Sequence, residues 1–203
     1  IDRFDDRYCH LFLWDQQAQT VVGAYRLCST STISNPADLY TYSLFRYDRR
    51  FLARLGTALE LGRSFVRIEY QRQYIPLLLL WKGIAAWVLR RPEHAVLFGP
   101  VSISRDYDER SRALITAALS ATSKDGSSLV RPRNPYRKHL PKDWDSNLVR
   151  LAVSDPESLS EAIAEIEPDR KGIPILLKQY LKLGGIVLAF NVDSRFSGVL
   201  DGL

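Results

Sequence analysis

The chain has 203 residues, of which 46% are hydrophobic, 25% charged and 11% aromatic, with a net charge of +5. Those fractions exclude a disordered, collagenous or coiled-coil chain and predict one sizeable domain; the modest basic excess suits an acidic protein or an anionic surface and argues for no nucleic-acid partner. Two cysteines, Cys9 and Cys28, exclude a disulfide scaffold and a four-cysteine zinc module, and His10, His94 and His139 are too scattered for a familiar metal spacing, so no metal site is expected.

In chain order, residues 9–14 are dense in apolar and aromatic side chains and read as a strand. A polar turn follows at Asp15–Gln19, and residues 20–28 read as a second strand that pairs back as a hairpin. Ser29–Asp38, rich in Ser, Thr, Asn and Pro, reads as a loop. Asp48–Leu55 is a short helix closed by Gly56, and residues 58–67 are a third strand in which Gly62 suggests a bulge. Pro76 opens the most apolar helix, which ends near Arg90 with Arg90 and Arg91 at its negative pole. Residues 95–103 read as a strand broken by Gly99-Pro100, and Asp108–Thr122 as an amphipathic helix. Lys124–Asp145 reads as a long loop, Leu148–Val153 as a short strand and Leu159–Ile166 as a helix. Pro174 starts a helix over Ile175–Leu183 that Gly184-Gly185 closes, and residues 186–192 form a last strand. Early hairpins followed by strands separated by single helices predict an α+β (mixed α/β) fold, a mostly antiparallel twisted sheet flanked by helices.

No stretch is apolar over the roughly 20 residues that a membrane span needs, because Lys82 interrupts Tyr74–Leu89. The opening Ile-Asp-Arg-Phe-Asp-Asp has neither the basic start nor the apolar run of a signal peptide. With no Met anywhere, the chain reads as one domain, residues 1–203, of a longer protein. The expected location is the cytoplasm, with peripheral contact at the inner membrane face as a further option.

One segment is more specific. Leu59-Glu60-Leu61-Gly62-Arg63-Ser64 sets a carboxylate and a guanidinium three apart on an otherwise apolar strand. In a flat strand the two would face opposite sides; a bulge at Gly62 would turn both to one cleft. Burial of either is costly without a partner, so the pair either lines a pocket or bridges internally. Further motifs are Asp2-Arg3-Phe4-Asp5 ahead of Cys9-His10-Leu11, Gly23-Ala24-Tyr25-Arg26-Leu27, and Tyr180–Gly185 followed by Phe190-Asn191-Val192-Asp193. In order and spacing, from Asp2 to Gly202, these resemble the GNAT-type N-acyltransferases that use acyl carrier protein. The likeness is to two branches. One is hemolysin-like and includes the ornithine lipid synthases and bacterial N-acyl amino acid synthases; the other comprises the acyl-homoserine lactone synthases.

The resemblance implies a GNAT-like three-layer fold and direct transfer of a long-chain or 3-hydroxylated long-chain acyl group from acyl-phosphopantetheine to the amine of an amino acid such as ornithine or glycine, with no permanently bound cofactor. It casts Glu60 as base, or as the residue that positions a water acting as one, and Arg63 as holder of the acceptor carboxylate or orienter of Glu60. Arg26 does similar work from the neighbouring strand. Asp2 and Asp5 order an N-terminal flap or attract a cationic acceptor, Ser64 and Phe65 complete the substrate-binding set, and a backbone N–H at the bulge serves the oxyanion. The loop Glu69–Pro76 departs from the CoA-using members, because it lacks the glycines that let backbone approach a pyrophosphate. This favours an acyl carrier protein as donor. Such a protein is acidic, and Arg67, Arg72, Lys82, Arg90 and Arg91 offer it a basic face.

Other readings stand beside these. Glu60 and Arg63 can form a plain structural ion pair, Arg26 can pair with Glu60, and Asp2 and Asp5 can be solvated or capping residues. The spacing of His10 and Asp15 matches the His-x4-Asp of glycerolipid acyltransferases, yet across a strand it separates the side chains by over ~15 Å. Cys9 or Cys28 as acyl nucleophile lacks a nearby His base. The Tyr74–Leu89 helix is read as core whose apolar side can also line an acyl tunnel. The Arg105, Arg110, Arg112 and Arg131, Arg133, Arg137 groups are solvated faces or, with Tyr107 and Tyr136, a headgroup contact. The helix carrying Lys178 and Lys182 is a surface helix or an acceptor-pocket wall. An acyl-CoA-dependent enzyme and a non-catalytic module of a larger lipid acyltransferase remain the alternatives.

Overall fold

The computed structural model describes residues 2–71, 73–122, 129–137, 140, 144 and 155–203. The expected strand Leu148–Val153 lies outside them. The chain adopts the α+β class expected, and packs as two compact units, residues 1–43 with 52–99, and residues 44–51 with 100–203.

The first unit is a four-stranded sheet in the order β1-β2-β4-β5. β1 (Cys9–Asp15) and β2 (Thr20–Ser29) form the expected antiparallel hairpin, and β4 (Ala58–Val66) adds antiparallel to β2. β5 (Val96–Phe98) runs parallel to β4 and pairs only with Ala58, Leu59 and Glu60. The close approach of the two strands then requires glycine: a Cβ on Gly99 would sit 2.0 Å from the Leu61 carbonyl oxygen. Beyond Glu60 the two strands share no further pairs; Gly99 still covers Leu61, and from Gly62 onward β4 has no pairing partner on its β5 side among the described residues.

Alternation along the strands divides the sheet into two faces. One carries Leu11, Leu27, Leu59 and Leu61 and receives α2 (Ile75–Leu89), whose Gly83 meets the Leu11 side chain and whose Leu80 reaches Gly23. The other carries Arg26, Cys28 and Glu60 and lies under the N-terminal segment and the turns that follow β2. Phe4, Tyr8 and Cys28 pack there, with Ile33 and Tyr40 against them. The expected loop 29–38 is wound into 3₁₀ turns at Thr30–Thr32 and Pro36–Asp38, with a third at Thr41–Ser43. α2 departs from a core helix. Pro76, Leu80 and Ile84, four residues apart, are buried, while its opposite side is open to solvent.

The second unit centres on an antiparallel sheet, β6 (Val101–Ile103), β9 (Val199–Gly202), β8 (Phe190–Asp193), with β9 in the middle. The predicted strand 186–192 is thus shorter at its start, and the sequence pattern does not reveal β9, whose four residues follow a turn at Ser194–Phe196. Two further short strands escape prediction, β3 (Phe45–Tyr47) and β7 (Val130–Pro132), the latter inside the expected long loop; three-residue strands carry too little alternation to read. The short helix expected after β3 is α1 (Arg49–Leu55). Helices α3 (Glu109–Thr122), α4 (Pro156–Ile166) and α5 (Ile175–Lys182) supply Leu114, Ile115, Ile163 and Leu177 to the core of this unit. The Asp155 side chain caps α4 by accepting from the N–H groups of Glu157 and Ser158, and Pro156 fills the first turn. Lys178 and Lys182 both bridge to Glu157, which ties α5 to α4 and makes theirs a surface ion-pair role. Arg112, read as solvated, is instead buried and donates to the Gly198 carbonyl at 3.0 Å.

Asp201 on β9 is buried and accepts from the Ser102 hydroxyl at 2.6 Å. Burial first, then the nearby charge of Asp193, push its carboxyl up to about 6. A raised folded-state value stabilises the protein below the ordinary aspartate range and loses that stabilisation as pH rises through about 6. Asp201→Asn keeps the acceptor for Ser102 and removes the titration. The variant is expected to be more stable than wild type by about 2 kcal/mol at pH 8 and equal or less stable at pH 4. Urea midpoints measured against pH check this; parallel curves for the two proteins would show that the group does not titrate between them.

Candidate functional site

The residues singled out on β2 and β4 meet on the α2-distal face of the first sheet. Arg26 is 1% exposed on β2, opposite Gly62 of β4. Its Nη1 donates to Asp2 Oδ1 at 2.8 Å and Asp5 Oδ1 at 2.7 Å, and its guanidinium lies 4.8 Å from the Tyr8 ring centre, with Phe4 and Tyr40 at 5.6 and 5.4 Å. Arg63 Nη2 donates to the other Asp2 oxygen at 2.7 Å. Asp2 therefore bridges the two arginines, and two carboxylates balance two guanidiniums. The segment that brings the aspartates there is knotted by its own hydrogen bonds: Asp2 N–H donates to Asp5 Oδ2, Phe4 N–H to Asp2 Oδ1, and Tyr8 N–H to the Phe4 carbonyl. Asp2 and Asp5 are thus flap-ordering residues paired with Arg26, and the alternative in which Arg26 pairs with Glu60 does not occur.

Glu60 sits beside this cluster, opposite Cys28, and is fully buried. Oε2 accepts from the Tyr8 hydroxyl and, at 3.2 Å, from the Tyr40 N–H; Oε1 accepts from the Thr41 hydroxyl and, at 2.7 Å, from the Thr41 N–H. Tyr8 Oη in turn accepts from the Tyr40 N–H at 2.7 Å. Tyr8 thereby joins the two parts of the site: its ring flanks Arg26 and its hydroxyl holds Glu60. The Glu60–Arg63 ion pair considered from the sequence is absent, because Arg63 is engaged by Asp2 while Glu60 is turned inward.

The bulge exists but is displaced by one residue. Arg63 and Ser64 together oppose Tyr25 alone, and it is Arg63, not Gly62, that takes the left-handed conformation, with φ +48°. A non-glycine residue there carries local strain, and strain of this kind collects at sites that need a side chain aimed against the local strand direction. The bulge leaves Arg63, Ser64 and Phe65 exposed at the open edge of β4, with Phe65 in one cross-strand row with Ala24 and Phe12.

Burial pushes the Glu60 carboxyl up, against the lowering effect of its four donors. Burial and the Glu60 charge likewise raise the Tyr8 phenol and push the Cys28 thiol up to about 11, which keeps Cys28 protonated and unsuited to nucleophilic attack. The Asp2 N–H and the Arg26 side chain hold Asp5 down at about 2. For Asp2, burial is outweighed by the Phe4 N–H and Arg26, so its carboxyl is lowered. His10 hydrogen-bonds the Asp5 carbonyl and Asp15 accepts from the Gln17 and Ala18 N–H groups in the hairpin turn, so they occupy opposite ends of β1 and form no His–Asp pair.

The basic residues assigned to a carrier protein are spread along the chain from the end of β4 to the end of α2. Arg67 is held by Glu69 and the Thr20 hydroxyl, Lys82 lies mid-way along the outward side of α2, and Arg91 stacks over Trp87 after its end. Arg90 caps that helix, and Arg72 lies outside the described residues. The residues that sequence reasoning misses are Tyr8, Tyr40 and Thr41. Nothing in the local pattern marks them, since they meet Glu60 across separations of 52, 20 and 19 positions. Among the described residues no group of His, Cys, Asp and Glu side chains is placed to hold a metal ion, and no helix is long and apolar enough to cross a membrane.

Comparison with known proteins places this geometry. The family of the acetyltransferase (GNAT) domain matches residues 1–81, the stretch that runs from the flap through β4 into α2. The chain is 29% identical to a glycine N(alpha)-acyltransferase of Bacteroides thetaiotaomicron over 96% of its own length and 61% of the relative's. It is 26% identical to a glycine N(alpha)-acyltransferase of Phocaeicola vulgatus, over 97% and 64% of the two chains. To an L-ornithine N(alpha)-acyltransferase of Rhodobacter capsulatus it is 30% identical, over 92% and 66%. The chain thus spans less than two thirds of the length of these curated relatives. No solved structure matches it.

Proposed function

We propose, from the match of residues 1–81 to the acetyltransferase (GNAT) domain and the likeness to curated amino-acid N-acyltransferases, that the chain moves a long-chain acyl group from acyl carrier protein to the α-amine of a small amino acid, glycine or ornithine. The product is an N-acyl amino acid or a lyso-ornithine-type lipid. The observation that carries the reading is the conjunction, on one sheet face, of a buried carboxylate with the Asp2–Arg26–Arg63 cluster, beside the stretch of β4 from Gly62 onward that has no pairing partner on its β5 side among the described residues. Open edge N–H and C=O groups suit the two amides of a phosphopantetheine arm, which would lie as a short extra strand. The names of the relatives support the acceptor class. The absence of glycine from Glu69 to Pro76 supports the carrier protein over CoA.

In this reading the acceptor arrives as an ammonium and loses a proton towards Glu60. Glu60 is fully enclosed, so the proton passes through Tyr8, which accepts it on oxygen while handing its own to the carboxylate. The free amine then attacks the thioester carbonyl carbon. A C–N bond forms, the oxyanion meets a backbone N–H at the Arg63–Ser64 bulge, the C–S bond breaks, and the thiolate takes the second proton of the amine. Arg63, half-exposed and steadied by Asp2, faces the acceptor's carboxylate with its guanidinium fork, and Ser64 and Phe65 line the same edge.

A mass-spectrometric product screen tests this. The protein is incubated with long-chain and 3-hydroxyacyl carrier proteins, the matching acyl-CoAs, and a pool of amino acids containing glycine, ornithine and lysine. An N-acyl product formed only with carrier protein is expected. Product from acyl-CoA alone would keep the reaction and overturn the donor, and no product from either would return the chain to a binding role within a larger protein.

A further inference from the structure

The mechanism leaves one feature of the first unit unused. Apart from Lys82, helix α2 is apolar on every side, yet only one side is buried. Its inward residues Pro76, Leu80 and Ile84 meet the sheet, while Ile75, Leu78, Leu79, Ala85, Ala86 and Leu89 form a continuous exposed stripe at helical spacing. Ile75 is 61% and Leu89 81% exposed. A stripe of this kind open to water marks a surface that is covered in use.

The charges around it indicate by what. From Gln71 to Pro92 the sequence contains no acidic residue and four cations, Arg72, Lys82, Arg90 and Arg91. Lys82 rises from the middle of the stripe, and Arg90 and Arg91 stand at its end, Arg91 laid 4.5 Å over Trp87. An acidic protein partner would satisfy the cations but leave a row of leucines, isoleucine and alanines to be matched. A bilayer of anionic lipid satisfies both: hydrocarbon takes the stripe, and headgroup phosphates take long cationic side chains that reach back from it. The helix has 15 residues, or about 22 Å, too short to cross the roughly 30 Å hydrocarbon layer, so it would lie in the plane of the surface. We propose that the outward side of α2 seats the protein on an anionic membrane surface, with Ile75, Leu78, Leu79 and Leu89 in the acyl boundary and Lys82, Arg90 and Arg91 at the headgroups.

The test needs no turnover. The chain is sedimented with vesicles of phosphatidylcholine containing about one third phosphatidylglycerol, and with pure phosphatidylcholine vesicles, at low and high salt. Binding to the anionic vesicles is expected, weakened by salt and weak on the neutral ones. Leu79→Glu, at an exposed position, is expected to lower the partition coefficient at least about tenfold with an unchanged circular dichroism spectrum. Lys82→Glu is expected to lower it on anionic vesicles only. Failure of the wild type to bind, or undiminished binding by both variants, would overturn the proposal. So would a Lys82→Glu variant whose sole defect is weaker use of acyl carrier protein, which would give the face to the carrier instead.

Discussion

Glu60→Gln is expected to reduce kcat by about 100-fold, the usual contribution of a positioned general base, and to remove the acidic limb of the kcat/KM profile. Both parts follow from the geometry. The carboxylate has four donors and no second charge against it, so its ionisation is governed by burial, which raises it. A base with a raised value titrates closer to the working pH, and its protonation is what the acidic limb reports. The glutamine is a mimic of the protonated acid, so the two proteins should converge in activity as pH falls through the Glu60 value. Stability gives an independent reading. The raised folded-state value means that Glu60 favours the fold below the ordinary glutamate range and loses that contribution as pH rises through the higher value; Glu60→Gln lacks this pH dependence. The glutamine amide must, however, point an NH2 group at either the Tyr40 and Tyr8 donors or those of Thr41, a cost of about 1–3 kcal/mol that is constant with pH. Steady-state rates and urea unfolding over the same pH range separate the effects. A folded Glu60→Gln that retains wild-type rates at neutral pH would make Glu60 an anchor for the Tyr40–Thr41 turn and nothing more. Tyr8→Phe, which deletes the proposed relay and leaves the carboxylate, should then show the same rate loss only if the proton travels through Oη.

The sequence makes the frame of this site legible and hides its wiring. Glu60, Arg63 and Arg26 are conspicuous because charges on apolar strands violate the alternation around them, and helix ends are conspicuous because Gly56, Pro76 and Gly184 punctuate them. The pairing of those charges is a different matter. Three residues apart on one strand, Glu60 and Arg63 invite pairing with each other; the bulge at Arg63 and the flap that carries Asp2 send them to separate partners. A left-handed arginine is invisible to a reading that gives such conformations to glycine, and so Gly62 draws the bulge that Arg63 takes. Tyr8, Tyr40 and Thr41 lie outside the elements that the sequence predicts, and their role is fixed by tertiary folding alone. The short strands β3, β7 and β9 are missed for a related reason, since each is held by its pairing partner and not by its own periodicity. α2 fails in the opposite direction: apolarity all round reads as core, and only the fold reveals that half of it faces out.

Arg26→Ala is expected to destabilise the protein by about 2–3 kcal/mol, less than the loss from a fully enclosed charge pair because the Asp2 and Asp5 side chains stay 25% exposed. Arg26 donates to Asp2 and Asp5 through one nitrogen, Nη1, while its Nε and Nη2 have no hydrogen-bond partner among the described residues and lie among the Phe4, Tyr8 and Tyr40 rings. The residue is therefore held by two kinds of interaction at once, ion pairing on one corner and aromatic packing on its faces. Its deletion leaves both aspartates facing each other without a counter-charge except Arg63, and opens a cavity between three rings. Arg26→Lys keeps the charge and forfeits the planar stacking, so its loss should be smaller. A double-mutant cycle with Asp5→Ala apportions the two interactions. If pairing dominates, the double variant is scarcely worse than Arg26→Ala; if ring packing dominates, the losses add. Acid provides the check. Asp5 is held down at about 2, so the pairing survives well below the ordinary aspartate range and is lost only as pH falls towards that value; in Arg26→Ala the same loss should set in at higher pH. Because Tyr8 lies between Arg26 and Glu60, freeing the flap also frees the hydroxyl that holds the carboxylate. Arg26→Ala should accordingly lose activity even at temperatures where its urea curve shows it folded, whereas a folded variant with wild-type rates would separate the flap from the chemistry.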